Sequence, residues 1–241
     1  GGVRTPPGLA YALEQGTAGI AQATVVNARD DRLLGYGAER LYVDRLLHAD
    51  SAFFDVFDGF DLLRGDPSTA LDAPERIVLT ASLAERMYGD ANPMGRTVLL
   101  ENETAYTITG VVADPPPTSH LQFAAVRSFT AAEQTFHHGS TVRWQYYGGH
   151  LYLALQENVE PAAVEAAVRA YEQQAEKPAW LDDEPRLRLQ PLTQTHLYST
   201  ELAGDIGPQG DIRYLYFFGL IGVLILGIAC INYMNLATAR A

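Results

Sequence analysis

The last part of the chain carries an uncharged stretch that limits how the whole can fold. No charged side chain occurs among the 26 residues from Tyr214 to Ala239. In an α-helix, at about 1.5 Å per residue, such a stretch is roughly 39 Å long, whereas the hydrocarbon core of a bilayer is about 30 Å thick. Because backbone groups find no water inside a bilayer, a single segment crosses it as a helix. The sequence therefore predicts a membrane helix over residues 213–239.

The residues before this helix are strongly acidic. All 29 acidic residues lie at or before Asp211, and only Arg213 and Arg240 of the 17 basic residues come later. Residues 1–212 thus combine 15 basic with 29 acidic groups and carry a net charge of −14. Such a domain repels nucleic acid and anionic lipid head groups, so we expect no nucleic-acid partner. The simplest interpretation of the charge is solubility.

Cysteine content and the flanks of the helix bear on the compartment. Cys230, the single cysteine, lies within the predicted helix, which excludes an intramolecular disulfide and a multi-cysteine metal site. With Arg240 after the helix and acidic residues before it, the positive-inside rule places the C-terminal end in the cytoplasm. The chain opens with Gly-Gly-Val-Arg and has no signal-peptide pattern, so we expect an upstream segment to direct export.

Hydrophobic periodicity predicts a mixed α+β fold for residues 1–212. Asp50 and Thr80 are predicted helix N-caps, and Gly89 is predicted to end the second of these helices. Residues 1–71 and 146–212 are expected to form one subdomain, and residues 72–145 an inserted smaller one with its own core. The pattern predicts strands at 22–29, 41–47, 77–80, 97–100, 105–113, 151–155 and 187–189, and helices at 7–15, after Asp50, at 81–88 and from Pro161.

Searches for catalytic and nucleotide-binding motifs give negative results. The chain contains no G-x-x-x-x-G-K-[ST] loop, no G-x-S-x-G elbow and no H-E-x-x-H helix. Gly35-Tyr36-Gly37 lacks the third glycine of a dinucleotide-binding loop. We therefore predict a non-catalytic chain with no cofactor of its own.

Three residue groups invite a functional interpretation that their spacing does not favour. Asp55, Asp58 and Asp61 recur at every third residue, whereas a calcium loop places its ligands at alternate positions. The adjacent pair His137-His138 would point to opposite faces of a strand and is expected on a surface loop. The remaining group is aromatic, and core packing is a simpler role for it than a ligand platform: Trp144, Tyr146 and Tyr147.

Several segments in order resemble a known family. IVLTASLAERMYGDANPMGRTVLL, followed by YTITGVVADPPPTSHLQF, resembles the MacB-like periplasmic core domain of FtsX-like (MacB/FtsX-type) ABC transporter permeases, in particular those of Bacteroidetes type. FFDVFDGFDLLRGDPSTAL fits the preceding segment of that family. LQPLTQTHLYS and ACINYMNLATARA resemble the approach to, and the body of, its second membrane helix. The resemblance covers most of residues 41–241, with Tyr233 at a position where the family pattern has Phe.

This resemblance implies a fold and a role. Residues 1–71 and 146–212 would form a porter-like α/β subdomain, with the smaller α/β subdomain 72–145 inserted into it. ATP and Mg²⁺ would bind to a cytosolic ABC ATPase, separate or fused, and not to this chain. The permease would work as a homodimer or a paralogous heterodimer in the bacterial inner membrane, with residues 1–212 in the periplasm. Its motion would export or extract a peptide, drug or lipoprotein, or regulate a periplasmic adaptor or envelope partner.

Small residues in the predicted helix are candidates for helix packing. Small side chains allow close approach of helices in lipid, and the alternative is the ordinary tolerance of membrane helices for glycine. The candidates are Gly219, Gly222, Gly227 and Ala229.

Two other functions fit an acidic α+β domain that precedes a membrane helix. One is an extracytoplasmic ligand-sensing domain of a membrane-anchored signalling receptor. The other is a membrane-anchored periplasmic enzyme, which would need a convergent polar site. The family resemblance favours the permease over both.

Overall fold

The fold is described from a computed structural model, which covers residues 4–137, 142–144, 146, 148–175, 187–198, 206 and 212–239. The strands are β1 (Arg4–Thr5), β2 (Ile20–Tyr36), β3 (Glu39–Ala49), β4 (Leu62–Arg64), β5 (Arg76–Thr80), β6 (Thr97–Leu100), β7 (Thr104–Val112), β8 (Ala125–Ser128) and β9 (Gly149–Leu155). The helices are α1 (Leu9–Gly16), α2 (Phe53–Val56), α3 (Ala81–Tyr88), α4 (Ala131–His137), α5 (Pro161–Gln174), α6 (Leu192–Tyr198) and α7 (Ile212–Ala239). This arrangement confirms the α+β fold class.

Within the described residues, nine strands form one mixed sheet. Its order is β1-β9-β2-β3-β8-β5-β7-β4, and β6 pairs with both β2 and β7. The pairs β3–β8 and β5–β7 are parallel, and the others are antiparallel. The sheet therefore joins strands that are far apart in the sequence on either side of the central pair β2–β3.

The pair β2–β3 is a long hairpin, and here the sequence-based prediction was wrong. The first strand does not end at Arg29 but continues to Tyr36, and Gly35 lies in the strand opposite Arg40, not in a loop. The turn contains Gly37, whose φ of 57° lies in the left-handed region that glycine tolerates. The two glycines, Gly35 and Gly37, predicted a loop, whereas the charged residues from Arg29 to Asp31 are exposed in the middle of the hairpin.

Alternate residues of the central strands enter two cores on opposite faces of the sheet, as the period of two requires. Leu46 and Ile77 point to one face, and their neighbours Leu47 and Val78 point to the other. The first core contains Val26, Leu47, Ala49, Phe53, Phe54, Ala70, Leu71, Val78, Val112, Leu121, Phe123, Val126 and Ile206. The second core contains Leu34, Val43, Leu46, Ile77, Leu79, Leu83, Ala84, Met87, Val98, Tyr106, Ile108, Val111 and Ala125.

A third core lies where α1 and α5 meet the β9 side of the sheet. It contains Leu9, Leu13, Ile20, Trp144, Val164 and Val168. Val164 and Val168 are buried one turn apart on α5, and Pro161 begins that helix, as the sequence predicts.

Local signals placed several other elements correctly. The Thr80 hydroxyl accepts from the amide of Leu83 at 3.4 Å and caps α3, and Gly89 follows that helix with a φ of 56°. β6 and β7 form the predicted hairpin, in which Glu101 and Asn102 adopt positive φ.

Two local predictions were wrong. Ala52, not Asp50, is the N-cap of α2, and the buried Asp50 carboxylate instead accepts from Thr24 and from the amides of Val25 and Ala52. Residues 187–190 do not form a strand. The amide of Leu187 donates to the carboxylate of Glu172 on α5 at 2.9 Å, so this segment is held by a helix and not by the sheet.

The sheet and its cores cross both boundaries of the expected subdomains. β3, from residues 1–71, pairs with β8, from residues 72–145, and the first and second cores draw on both segments. Trp144 packs in the third core with α1 and α5. The division into 1–71 with 146–212 and 72–145 stays a prediction about how the chain is organised.

Candidate functional site

α7 is the element with the clearest relation to a membrane. It contains a 20-residue apolar segment, Tyr216–Asn235, with a mean hydropathy of 2.2 and none of its most apolar window buried against the rest of the chain. Within the described part of the chain it is the one helix long and apolar enough to cross a bilayer. Its 28 residues, at about 1.5 Å each, exceed the roughly 30 Å that a crossing requires. The helix begins one residue before the predicted start at 213 and ends at the predicted Ala239.

The four small residues of α7 do not form a single stripe. At about 100° per residue, Gly222 and Ala229 lie within about 20° of each other, with Gly219 about 60° away. Gly227 lies about 140° around the helix from Gly222. A side chain added at any of the three glycines would meet no other atom of the described chain within 4 Å. The four positions thus serve at least two faces of the helix, and their packing against other helices stays a prediction.

Ile206 anchors the chain shortly before α7. Its side chain is 6% exposed and belongs to the first core, beneath β2 and β3. It precedes Ile212, the first residue of α7, by six positions. A movement of the helix therefore has a short chain path into the interior of the sheet domain.

Arg45 on β3 fixes the backbone at this anchor. Its Nη1 donates to the carbonyl oxygen of Ile206 at 2.9 Å, and its Nε donates to Oδ1 of Asp30 on β2 at 3.2 Å. Asp30 and Arg45 are direct cross-strand partners in the hairpin. One guanidinium thus connects the approach to α7 with both strands of the central pair.

A second contact joins α6 to the sheet. Nε2 of His120 lies 2.9 Å from the hydroxyl of Tyr152 on β9, and Nδ1 of His120 lies 3.3 Å from Oγ1 of Thr195 on α6. His120 belongs to the SHL segment that follows the proline turn, and Thr195 belongs to the LQPLTQTHLYS segment. The two segments, 75 positions apart, therefore meet beside β9.

A buried charge lies on the face of the second core. Arg127 on β8 is 5% exposed, and its guanidinium donates to both carboxylate oxygens of Glu133 on α4 at 2.7 and 2.8 Å. It also donates to Nδ1 of His48 on β3 at 2.7 Å and lies over the ring of Tyr106. This bidentate pair fastens α4 to the sheet. No sequence motif indicated this pair, because Arg and Glu are common surface residues. Its role becomes visible only once β8, which carries Arg127, is known to be buried.

Two pKa values in this cluster, those of His48 and Glu133, are lowered. Burial lowers the pKa of His48 below its usual value near 6.5, with the neighbouring Arg127 acting in the same sense. Burial alone would raise the pKa of Glu133. The contacts from His48, Arg127 and the amide of Thr130 outweigh that burial and hold this pKa well below its usual range. Since Arg127 donates to Nδ1, the proton of the neutral His48 ring resides on Nε2, which has no partner among the described residues.

Residues singled out for chemistry do not form a metal centre in the described part of the chain. No group of three or more His, Cys, Asp and Glu side chains there could hold a metal ion. Asp55, Asp58 and Asp61 line an open surface groove of about 610 Å³ beside Phe54 and Phe60. Their spacing thus produces an acidic rim above an aromatic cluster.

The histidine and aromatic candidates are mostly structural. His137 is 5% exposed and its ring stacks on Phe129, so the expectation of a surface loop was wrong for this residue. Trp144 is buried in the third core, as predicted, whereas Tyr146 is 50% exposed. His138 and Tyr147 lie outside the described residues.

Acid should weaken the cluster formed by His48, Arg127 and Glu133. A histidine with a lowered folded-state pKa binds its proton more readily when unfolded, so its contribution is complete above about pH 6.5 and declines as the pH falls below that value. Glu133 acts in the same sense below about pH 4.5. We expect the free energy of unfolding, measured with urea and tryptophan fluorescence in detergent, to fall between about pH 7.5 and 5.5. The free energy of unfolding of His48→Gln, which keeps an acceptor for Arg127, should fall less over this pH range. An equal fall in the parent and in His48→Gln would contradict the role of His48.

Comparison with known proteins places these features in a family. Residues 2–171 match the model of the MacB-like periplasmic core domain. A search of curated protein sequences finds no match.

Solved structures share the fold. A crystallised domain of a protein described as a permease from Porphyromonas gingivalis is 22% identical, with a TM-score of 0.61 and 73% of each chain covered. The periplasmic region of MacB from Actinobacillus actinomycetemcomitans is 18% identical, with a TM-score of 0.53 over 68% of this chain and 71% of that one. The extracellular domain of the ABC-type transporter YknZ from Gram-positive bacteria is 12% identical, with a TM-score of 0.50 over 70% and 82%.

The match spans more than half of the chain and includes every strand of the sheet, and solved periplasmic domains share its fold. The chain therefore belongs to the MacB-like periplasmic core domain family of ABC-type permeases and carries one candidate membrane helix after that domain.

Proposed function

We infer that this chain transmits ATP-driven motion across the inner membrane, as part of a permease that exports or extracts a peptide, drug or lipoprotein or regulates envelope partners. The observation that carries the proposal is Ile206, which is buried in the first core six positions before α7. A helix attached to the interior of a domain through so short a path can move that domain. A helix attached through a long flexible tether would act only as an anchor.

The chain itself supplies no energy in this proposal. ATP and Mg²⁺ bind to the cytosolic ABC ATPase, separate or fused, and the permease subunit conveys the resulting movement of α7. Support comes from the kind of partner with which permeases of this family work and from the absence of a nucleotide-binding loop in the sequence. A homodimer or a paralogous heterodimer, and contact with a periplasmic adaptor, are parts of the same proposal.

An ABC ATPase should co-purify with the full-length permease. We expect affinity isolation of the tagged protein from membranes to retain an ABC ATPase whose hydrolysis of ATP depends on Mg²⁺. The competing function, a ligand-sensing receptor, predicts a signalling kinase or a signalling segment in place of the ATPase. Recovery of such a signalling partner, with no ATPase present, would overturn the transport proposal.

Residues 1–212 should lie on the periplasmic side, with the C-terminal end of α7 at the cytoplasmic face. In a Cys230→Ala background, Ser68→Cys places one thiol in an exposed turn beside Asp66. A membrane-impermeant maleimide should label it in intact spheroplasts. Labelling only after permeabilisation would reverse the orientation, and the Cys230→Ala protein without Ser68→Cys provides the unlabelled control.

Leucine at Gly222 or Gly227 should weaken subunit assembly, because the larger side chain keeps neighbouring helices apart. We expect a change on the order of tenfold in the dimer dissociation constant, measured by energy transfer in vesicles. Since the two positions lie on different faces of α7, the single variants separate the two candidate contacts. Val223→Leu, an exposed apolar exchange on the same helix, is the matched control. Assembly equal to that control in both glycine variants would refute the packing role.

A further inference from the structure

We propose that Arg45 is the coupling residue through which movement of α7 reaches the middle of the β2–β3 hairpin, and that this middle is where the sheet bends. The proposal rests on the function inferred above and specifies where in the domain the motion enters.

The outer edge of β2 is paired at its two ends but not in its middle. Residues 20–26 pair with β9, and Leu34 and Gly35 pair with β6. Residues 27–32, between these pairings, have no strand beside them on that edge in the part of the chain that the structure describes. The β3 partners of residues 27–29 also pair with β8, so among the described residues the hairpin is a two-stranded ribbon only at residues 30–32. A two-stranded ribbon twists and bends more readily than a wider sheet, so residues 30–32 are the most deformable part of this stretch.

Backbone geometry is irregular at the same place. Asp31 adopts a φ of 52°, whereas extended strands have φ near −120° to −140°. A left-handed conformation is uncommon for a residue with a side chain and interrupts the regular pleat. The pairing of β2 with β3 nonetheless keeps one register, from Val26 opposite Ala49 to Tyr36 opposite Glu39. The hairpin is therefore continuous but has a built-in irregularity at its middle.

The two ends of the hairpin belong to different cores. Ile20, at the start of β2, packs in the third core with α1 and α5. Leu34, near the other end of β2, packs with Val43 in the second core beside α3 and β7. Leu46 pairs with Arg29, before Asp31, and also lies in the second core, so bending at Asp31 would change the angle between these two bodies and shift packing within the second core.

Arg45 lies at this irregularity and is also bound to the approach to α7. It is paired with Asp30, the residue before Asp31, and it holds the carbonyl oxygen of Ile206. Both contacts are charge-assisted and have a defined direction. The other contact of this region, between Thr195 and His120, is longer at 3.3 Å and lies further from α7 along the chain. Beside the packing of the Ile206 side chain in the first core, Arg45 provides the described hydrogen bond between Ile206 and the hairpin.

The arrangement makes Arg45 a positioning residue that is dispensable for the fold. Its side chain is 32% exposed and that of Asp30 is 63% exposed, so an exposed pair of this kind contributes little to stability. The first core, including Ile206, holds the domain together through burial. Loss of Arg45 should therefore leave the resting structure intact and reduce the response to movement of α7.

The test measures a distance across the hairpin in the full-length permease with its ATPase in nanodiscs. In a Cys230→Ala background, spin labels at Ala166→Cys on α5 and Glu103→Cys beside β7, both exposed positions, report the angle between the two bodies. Pulsed EPR gives the distance without nucleotide and with a trapped, non-hydrolysable ATP analogue. Arg45→Met is compared with Arg32→Met, which removes another hairpin arginine from an exposed pair with Glu101.

We expect a nucleotide-dependent shift in the labelled parent and in Arg32→Met, and less than half of that shift in Arg45→Met at an unchanged resting distance. A shift of full size in Arg45→Met, or equal loss in both variants, would overturn the role of Arg45 but leave the proposed function in place. No shift in the labelled parent would overturn this inference, because the domain would then move as one body. The proposed function is tested separately by co-purification of the ATPase.

A second variant covers the case in which Arg45→Met alters the resting distance. Asp30→Ala removes the exposed carboxylate that accepts from Arg45, leaves the bond from Arg45 to Ile206 and cannot open a core. We expect a reduced shift at the parent's resting distance. A shift of full size in this variant would also overturn the proposal that motion enters at the Asp30–Arg45 pair.

Discussion

The extended pairing of β2 with β3 is the interaction on which the rest of the structure depends. These strands of 17 and 11 residues stand at the centre of the sheet, with β9 and β1 on one side and β8, β5, β7 and β4 on the other. Each of the three cores takes residues from this pair. Because long-range strand pairing fixes the register of whole faces, a slip of one residue in this hairpin would exchange the two central cores.

Most charged side chains in this domain lie where they stay hydrated, and those that are buried have polar partners. Most acidic groups remain on the surface, where they need no partner, and the Asp55, Asp58 and Asp61 rim is one example. Arg127 is one of the buried charges, and it is held by two carboxylate oxygens, a histidine nitrogen and an aromatic face. Such a group is costly to bury and costly to leave unpaired, so it ties α4 to one position on the sheet.

Sequence reasoning found what local signals specify. The cap at Thr80, the turn at Gly89 and the apolar spacing of α5 depend on neighbours within a few residues, and each was predicted. The continuation of β2 beyond Arg29 was missed, because Gly35 and Gly37 indicate a loop as long as the pairing of Gly35 with Arg40 on β3 is unknown. The contacts of Arg127 with Glu133 and of Arg45 with Ile206 require knowledge of the tertiary fold, since the second joins residues 161 positions apart. The family itself was apparent from several short segments in order, each weak alone.

The apolar surface of α7 extends around its whole circumference, because its exposed side chains include Phe217, Ile225, Leu226 and Val223, which point in four different directions at about 100° per residue. Lipid tails solvate all sides of such a rod equally well, so the bilayer fixes its depth but leaves its rotation about its own axis undetermined. Only neighbouring membrane helices and the attachments at its two ends can fix this rotation. The helix can thus act on the sheet domain by rotating about its own axis, as well as by tilting or moving along that axis.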